Sequence, residues 1–114
     1  MHVEVRQIQD VVILDLKGRL TAGLGDQILR DAIDELLAES RRKILLNLSD
    51  VAFVDSAGIG ELVAGLRTAR RLGAQLKLLN LGERVYSTLD MARLLPTFET
   101  FDDETAAVRS FGES

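Results

Sequence analysis

The residues Asp55-Ser56-Ala57-Gly58 stand where an apolar run, Val51-Ala52-Phe53-Val54, gives way to a helical pattern. A serine at such a junction can do one of two things. Its hydroxyl can cap the helix, because the first helical amides have no partner within the helix and Ser is a favoured N-cap. Alternatively it can accept a phosphoryl group, because those amides and the positive end of the helix dipole tolerate negative charge. Local chemistry favours the cap, although the capping box is missing: Ile59, not Glu or Gln, stands three residues after Ser56. A phosphate there would add roughly 1.5 to 2 negative charges beside Asp55. Gly58 and Gly60 leave the hydroxyl sterically open and loosen the first helical turn.

Other chemistry finds less support. One His and no Cys exclude a structural zinc site. Asp50 and Asp55 could face a hard cation, but two acids five residues apart carry no specific signal, and no metal is assigned. No Gly-rich loop ends in Lys-Ser/Thr, so there is no P-loop. A Ser-His-acid triad would need His2 at the N-terminus, and Ser56 lacks the G-x-S-x-G elbow. Reading Asp55 as a receiver-type phosphoacceptor requires an acidic pair after the first strand and a late lysine. Here Asp10 stands alone before a strand and no Lys follows Lys77. No catalytic residue and no cofactor are therefore assigned.

The net charge of −4 argues against sequence-independent nucleic-acid binding, which rests on Lys and Arg. Aromatic residues make up 4% with no Trp, so stacking platforms for single strands are absent. The one basic cluster, Arg67, Arg70 and Arg71, reads as a solvated helix end favoured by the macrodipole, or else as a patch for an acidic partner.

The elements that must position Ser56 follow from periodicity. His2 to Ile8 alternates as a half-buried edge strand, and Val11 to Leu16 reads as a central strand that Gly18 stops. Their closeness suggests a hairpin. Thr21 to Asp26 reads as a loop, with Asp26 capping a helix that runs to about Ser40 and turns Leu29, Ile33 and Leu36 inward. Ile44 to Leu48 reads as a strand buried on both faces. The helix from Ser56 to about Leu72 should bury Ile59, Leu62, Val63, Leu66 and Ala69. Ala57, Gly60, Ala64 and Thr68 form a second stripe of small residues, for close packing or for docking. Gly73 closes this helix. Leu76 to Leu81 is a further buried strand, Glu83 to Ala92 a short helix with Val85 and Leu89 inward, and Thr97 to Phe101 a short strand after Pro96. Asp102-Asp103-Glu104 opens a last helix that buries Ala107, Val108 and Phe111, and the terminal FGES is expected to fray.

The order ββαβαβαβα defines an α/β class: one domain over residues 1–114, with a mixed, mostly parallel sheet of about five strands and about four helices. Functional groups in such sheets gather at the carboxyl ends of strands, where Ser56 lies. With 46% hydrophobic residues the chain can build a core without disulfides. It has no apolar run near the ~20 residues that span a bilayer, and no signal-peptide pattern. A soluble, cytoplasmic protein is expected, with no membrane insertion.

The run Ile44-Leu-Leu-Asn-Leu-Ser-Asp-Val-Ala-Phe-Val-Asp-Ser-Ala-Gly-Ile-Gly60 resembles the STAS domain, and more narrowly the anti-sigma factor antagonists. Leu16-Lys-Gly-Arg-Leu20 resembles the turn after the family's second strand, and Leu76-Lys-Leu-Leu-Asn-Leu81 its fourth strand. The resemblance implies a non-enzymatic module that binds a kinase-like anti-sigma factor and so releases a sigma factor. It implies that this kinase phosphorylates Ser56, that phosphorylation ends the complex, and that a phosphatase restores it. Asp55, Ser56, Ala57, Gly58, Gly60 and Ala64 would form the partner-binding surface. Ala57 stands where many members carry a second Ser or Thr, which leaves Ser56 as the acceptor. Arg19-Leu20-Thr21 departs from members that carry an acid after the turn. The resemblance also admits a constitutive STAS adaptor, serving a lipid-transport ATPase or a stress-signalling assembly, in which Ser56 is only a helix cap.

Overall fold

Alternation of apolar residues on two neighbouring strands sets up two cores at once. In the computed structural model, which describes residues 1–112, β1 (His2–Ile8) and β2 (Val11–Leu20) form the antiparallel hairpin. β2 is buried on both faces. Val12, Leu14 and Leu16 point into the larger core, and Val11 and Ile13 into a smaller one. This is the period-2 rule applied to a strand with a layer on each side.

The described residues form five strands, four α-helices and one short 3-10 helix. After the hairpin come α1 (Leu24–Ala38), β3 (Lys43–Val54), α2 (Ser56–Arg71), β4 (Gln75–Leu79) and α3 (Glu83–Met91). The 3-10 helix (Leu95–Thr97), β5 (Thr100–Phe101) and α4 (Glu104–Phe111) complete the chain. The strand order is β1-β2-β3-β4-β5, antiparallel for the first pair and parallel for the rest. Each crossover advances the sheet in the same direction. Crossovers of one hand then fall on one face, and α1, α2 and α3 together cover the larger core. α4 folds back over the opposite face, where Ala107, Val108 and Phe111 meet Val11, Ile13, Leu45 and Leu79.

The structure revises several expected boundaries. β2 does not stop at Gly18. It continues to Leu20, with Gly18 at φ +116°. β3 is one strand of 12 residues, not a strand to Leu48 followed by a separate run. Two register shifts against β2 absorb its extra residues: the exposed Ser49 falls within the first shift, and the exposed Asp50 pairs with Lys17. α1 starts at Leu24 with Gly23 at its N-cap, so Asp26 is a first-turn acid rather than the cap. Pro96 sits in the 3-10 helix, and the last strand is confined to Thr100–Phe101. Gly73 takes φ +76° just after the α2 C-cap, as expected. Phe111 is buried at the end of α4 rather than frayed, while Glu113 and Ser114 lie outside the described residues.

Candidate functional site

The strand β3 delivers Asp55 to the mouth of α2 in an extended conformation, φ −98° and ψ −174°. Its N–H donates to the Leu20 carbonyl of β2 at 3.2 Å. Its carboxylate is divided between two backbone donors. Oδ1 accepts from the Gly58 amide at 2.9 Å, and Oδ2 accepts from the Ala22 amide, in the loop before α1, at 3.0 Å. Asp55 therefore caps α2 and pins the β2–α1 loop to it. The Ala22 amide, and then that of Gly58, holds the Asp55 carboxyl below the usual carboxylate range.

This corrects the role of Ser56. A capping Ser56 would take the amide of Gly58 or Ile59. The first is taken by the Asp55 side chain, and the second donates to the Asp55 carbonyl at 2.9 Å. Ser56 is instead the first helical residue, and its side chain is exposed. Its hydroxyl makes no hydrogen bond among the described residues.

The small residues of α2 divide sharply. Gly58 is buried, and a Cβ there would lie 2.2 Å from the Leu20 carbonyl oxygen. Its bareness is what lets α2 settle against the end of β2. Gly60 is exposed, and a Cβ there would meet nothing within 4 Å. Ala57 is half-buried and Ala64 exposed. Packing against a neighbour thus uses Gly58, and also Gly65, which faces Ile33 of α1, while Gly60 and Ala64 stay on the surface. On the core side, Leu62, Leu66 and Ala69 are fully buried, and Ile59 and Val63 pack partly against the same core.

Arg67, Arg70 and Arg71 are exposed, with the last two in the final turn of α2. Among the described residues no group of three or more His, Cys, Asp or Glu could hold a metal ion.

Two polar arrangements left no trace in the sequence pattern. Glu61 of α2 is buried and pairs with Arg30 of α1, whose Nε donates at 3.0 Å. Its partner lies 31 residues away, a spacing set by how two helices cross and not by any local period. At the carboxyl ends of the strands, Arg19 and Arg84 both lie over the ring of Phe53.

Fold and site together define a singly wound α/β domain with a bare serine at the helix mouth after its longest strand. The STAS domain family model matches residues 2–107, and the chain belongs to the STAS domain family. It is 29% identical over 94 residues to the anti-sigma-B factor antagonist of Bacillus subtilis, covering 82% of this chain and 84% of that protein. A provisionally named anti-sigma factor antagonist of Thermotoga maritima has a crystal structure with TM-score 0.87 and 27% identity, covering 95% of this chain and 92% of that one. The Bacillus cell-fate determinant SpoIIAA in its phosphorylated form gives TM-score 0.72 at 20% identity, covering 96% of this chain and 99% of that one, a likeness of fold alone. No helix among the described residues is long and apolar enough to cross a membrane.

Proposed function

We propose that this chain is an anti-sigma factor antagonist. It is a cytoplasmic, non-enzymatic binding module that sequesters a kinase-like anti-sigma factor and is switched off by phosphorylation of Ser56. The observation that carries this reading is the division of labour at the helix mouth. Asp55 does the capping, and Ser56 presents an exposed, unbonded hydroxyl. A phosphate there meets the positive end of α2 and breaks no hydrogen bond, so the domain survives modification while its surface changes.

The docking surface is built from Ser56, Ala57, Gly60 and Ala64 on the outer side of α2. Asp55 and Gly58 contribute by holding that side in place. Phosphorylation would bring about two negative charges into a contact fitted to a neutral serine. If the desolvation and repulsion cost about 3 kcal/mol, affinity would fall by roughly two orders of magnitude. A phosphoserine phosphatase would reverse the switch.

The test is affinity capture from the native host with Ser56→Ala and Ser56→Asp baits, followed by incubation of the captured kinase with the wild-type chain and ATP. The expected result is a partner retained by Ser56→Ala and lost by Ser56→Asp, and one phosphate on Ser56 by mass spectrometry. Retention by both baits, or an unmodified Ser56, overturns the switch and leaves a constitutive adaptor.

A further inference from the structure

Beside the Asp55–Ser56 junction two guanidinium groups share one aromatic ring. Arg19 Cζ lies 5.3 Å from the centroid of Phe53, and Arg84 Cζ lies 5.9 Å from the same centroid. Arg19 stands opposite Phe53 in the β2–β3 register, and Arg84 comes from the first turn of α3. Both arginines are exposed and Phe53 is half-buried. Three separate elements therefore converge on one point of the surface. That point belongs to the same end of the molecule as the switch. Leu20, next to Arg19, accepts the Asp55 N–H, and Phe53 precedes Ser56 by three residues.

Among the described residues no carboxylate pairs with either guanidinium, whereas Arg6 and Arg30 each hold carboxylates of this chain. The nearby carboxylate of Asp55 is committed to two backbone amides, and the exposed Glu83 makes no ion pair either. The ring holds the guanidinium groups by cation–π attraction and so limits the rotamers they would otherwise explore. Their N–H forks then stand ready for the acceptor that suits a guanidinium best, a carboxylate engaged by two parallel hydrogen bonds. Two uncompensated, pre-positioned cations on a chain of net charge −4 are a recognition feature rather than a solvated average.

We propose that Arg19 and Arg84, held over Phe53, form a carboxylate-binding rim of the docking surface, and that the partner presents an acidic segment to it. This rests on the reading that the Ser56 end of the domain is where the partner docks. It adds the chemistry of that partner: aspartate or glutamate side chains facing the two arginines, at the edge of the neutral contact over α2.

The test uses the intact, isotope-labelled chain and a blocked hexaglutamate peptide, with hexaglutamine and inorganic phosphate at matched ionic strength as the other arms. Hexaglutamate should move the Nε–Hε signals of Arg19 and Arg84 and the ring signals of Phe53, with saturation. Arg19→Gln combined with Arg84→Gln should weaken that binding at least tenfold with the remaining amide spectrum unchanged, and Phe53→Leu should weaken it with both arginines present. Equal shifts from hexaglutamine, equal shifts at Arg67, Arg70 and Arg71, or a response reproduced by phosphate alone would each overturn the proposal. The titration involves neither the kinase nor modification of Ser56. A negative result therefore leaves the switch standing, and a failed phosphorylation leaves the titration to be judged by itself.

Discussion

Gly58 and Gly60 are two positions apart on one helix and obey opposite rules. A methyl group at 58 would run into the Leu20 carbonyl, a backbone atom that cannot turn aside. Gly58→Ala should therefore cost about 1–3 kcal/mol of stability as overpacking. A methyl group at 60 meets open space, and Ala is the better helix former, so Gly60→Ala should stabilise the fold by roughly 0.5–1 kcal/mol. Urea denaturation of the two variants checks the opposite signs. If Gly60 lies under the partner, the same stabilised variant should bind less well. Ser56 gives a third expectation at this scale. Losing a true cap costs about 1 kcal/mol, whereas Ser56→Ala and Ser56→Asp should each stay within roughly 0.5 kcal/mol of wild type. Both proteins would still unfold in one cooperative transition. The sequence read alone favours Ser56 as the cap, because Ser is a preferred N-cap, and passes over Asp55, whose residue type is preferred equally. What decides it is the Ala22 amide, 33 residues away, which reaches the second oxygen of Asp55.

The elements are tied together by ion pairs whose members are distant in sequence. Arg6 of β1 donates to Asp15 of β2 at 2.6 and 3.1 Å and to Glu104 of α4, and so joins three elements on the face that α4 covers. Hydrogen bonds from Arg6 hold the carboxyls of Asp15 and Glu104 below their ordinary values, while Arg6 itself is shifted upward and stays charged. Carboxyls lowered in the folded state stabilise it above their unfolded pKa of about 4 and lose that contribution as pH falls through the folded values. Wild-type stability should therefore decline with acid below about pH 5. The decline should be shallower in Arg6→Gln, as read from urea midpoints across pH. Amide exchange in that variant should rise first in α4, which Lys77 also anchors through the Ser110 hydroxyl at 3.0 Å. Between α1 and α2, Arg30→Met should destabilise by stranding the buried Glu61 carboxylate, and adding Glu61→Met should restore much of the loss in a double-mutant cycle. Helical periodicity made the apolar faces of these elements legible: Leu29 and Ile33, and Leu62, Leu66 and Ala69, lie inside as expected. It could not show which polar side chains meet between elements. It also split β3, because Ser49 and Asp50 look like a turn until β2 is seen to run alongside them.

At the scale of the molecule, the simple winding of the sheet leaves no reversal in strand order, and so no crevice of the doubly wound kind. The order of elements was readable from the alternation of strand and helix patterns. Burial on both faces was read from the Ile44 to Leu48 run, but not which helix covers the second side, and there the structure places α4. A protein-binding module, as proposed above, would use the surface around Ser56 and needs no crevice of that kind. The division between Asp55 and Ser56 bears on inheritance. Position 55 caps α2 and pins the β2–α1 loop, and position 58 touches backbone, so both should tolerate little change in a saturation-mutagenesis survey scored for folded protein. Position 56 should accept most residues in the same survey. If Ser56 is the switch proposed above, a lineage could discard the hydroxyl by a single substitution, keep the domain intact and live with a permanently active copy, or regain regulation by one step back. On the proposed reading, the scaffold would carry its switch at a residue whose side chain makes no contact that the fold depends on.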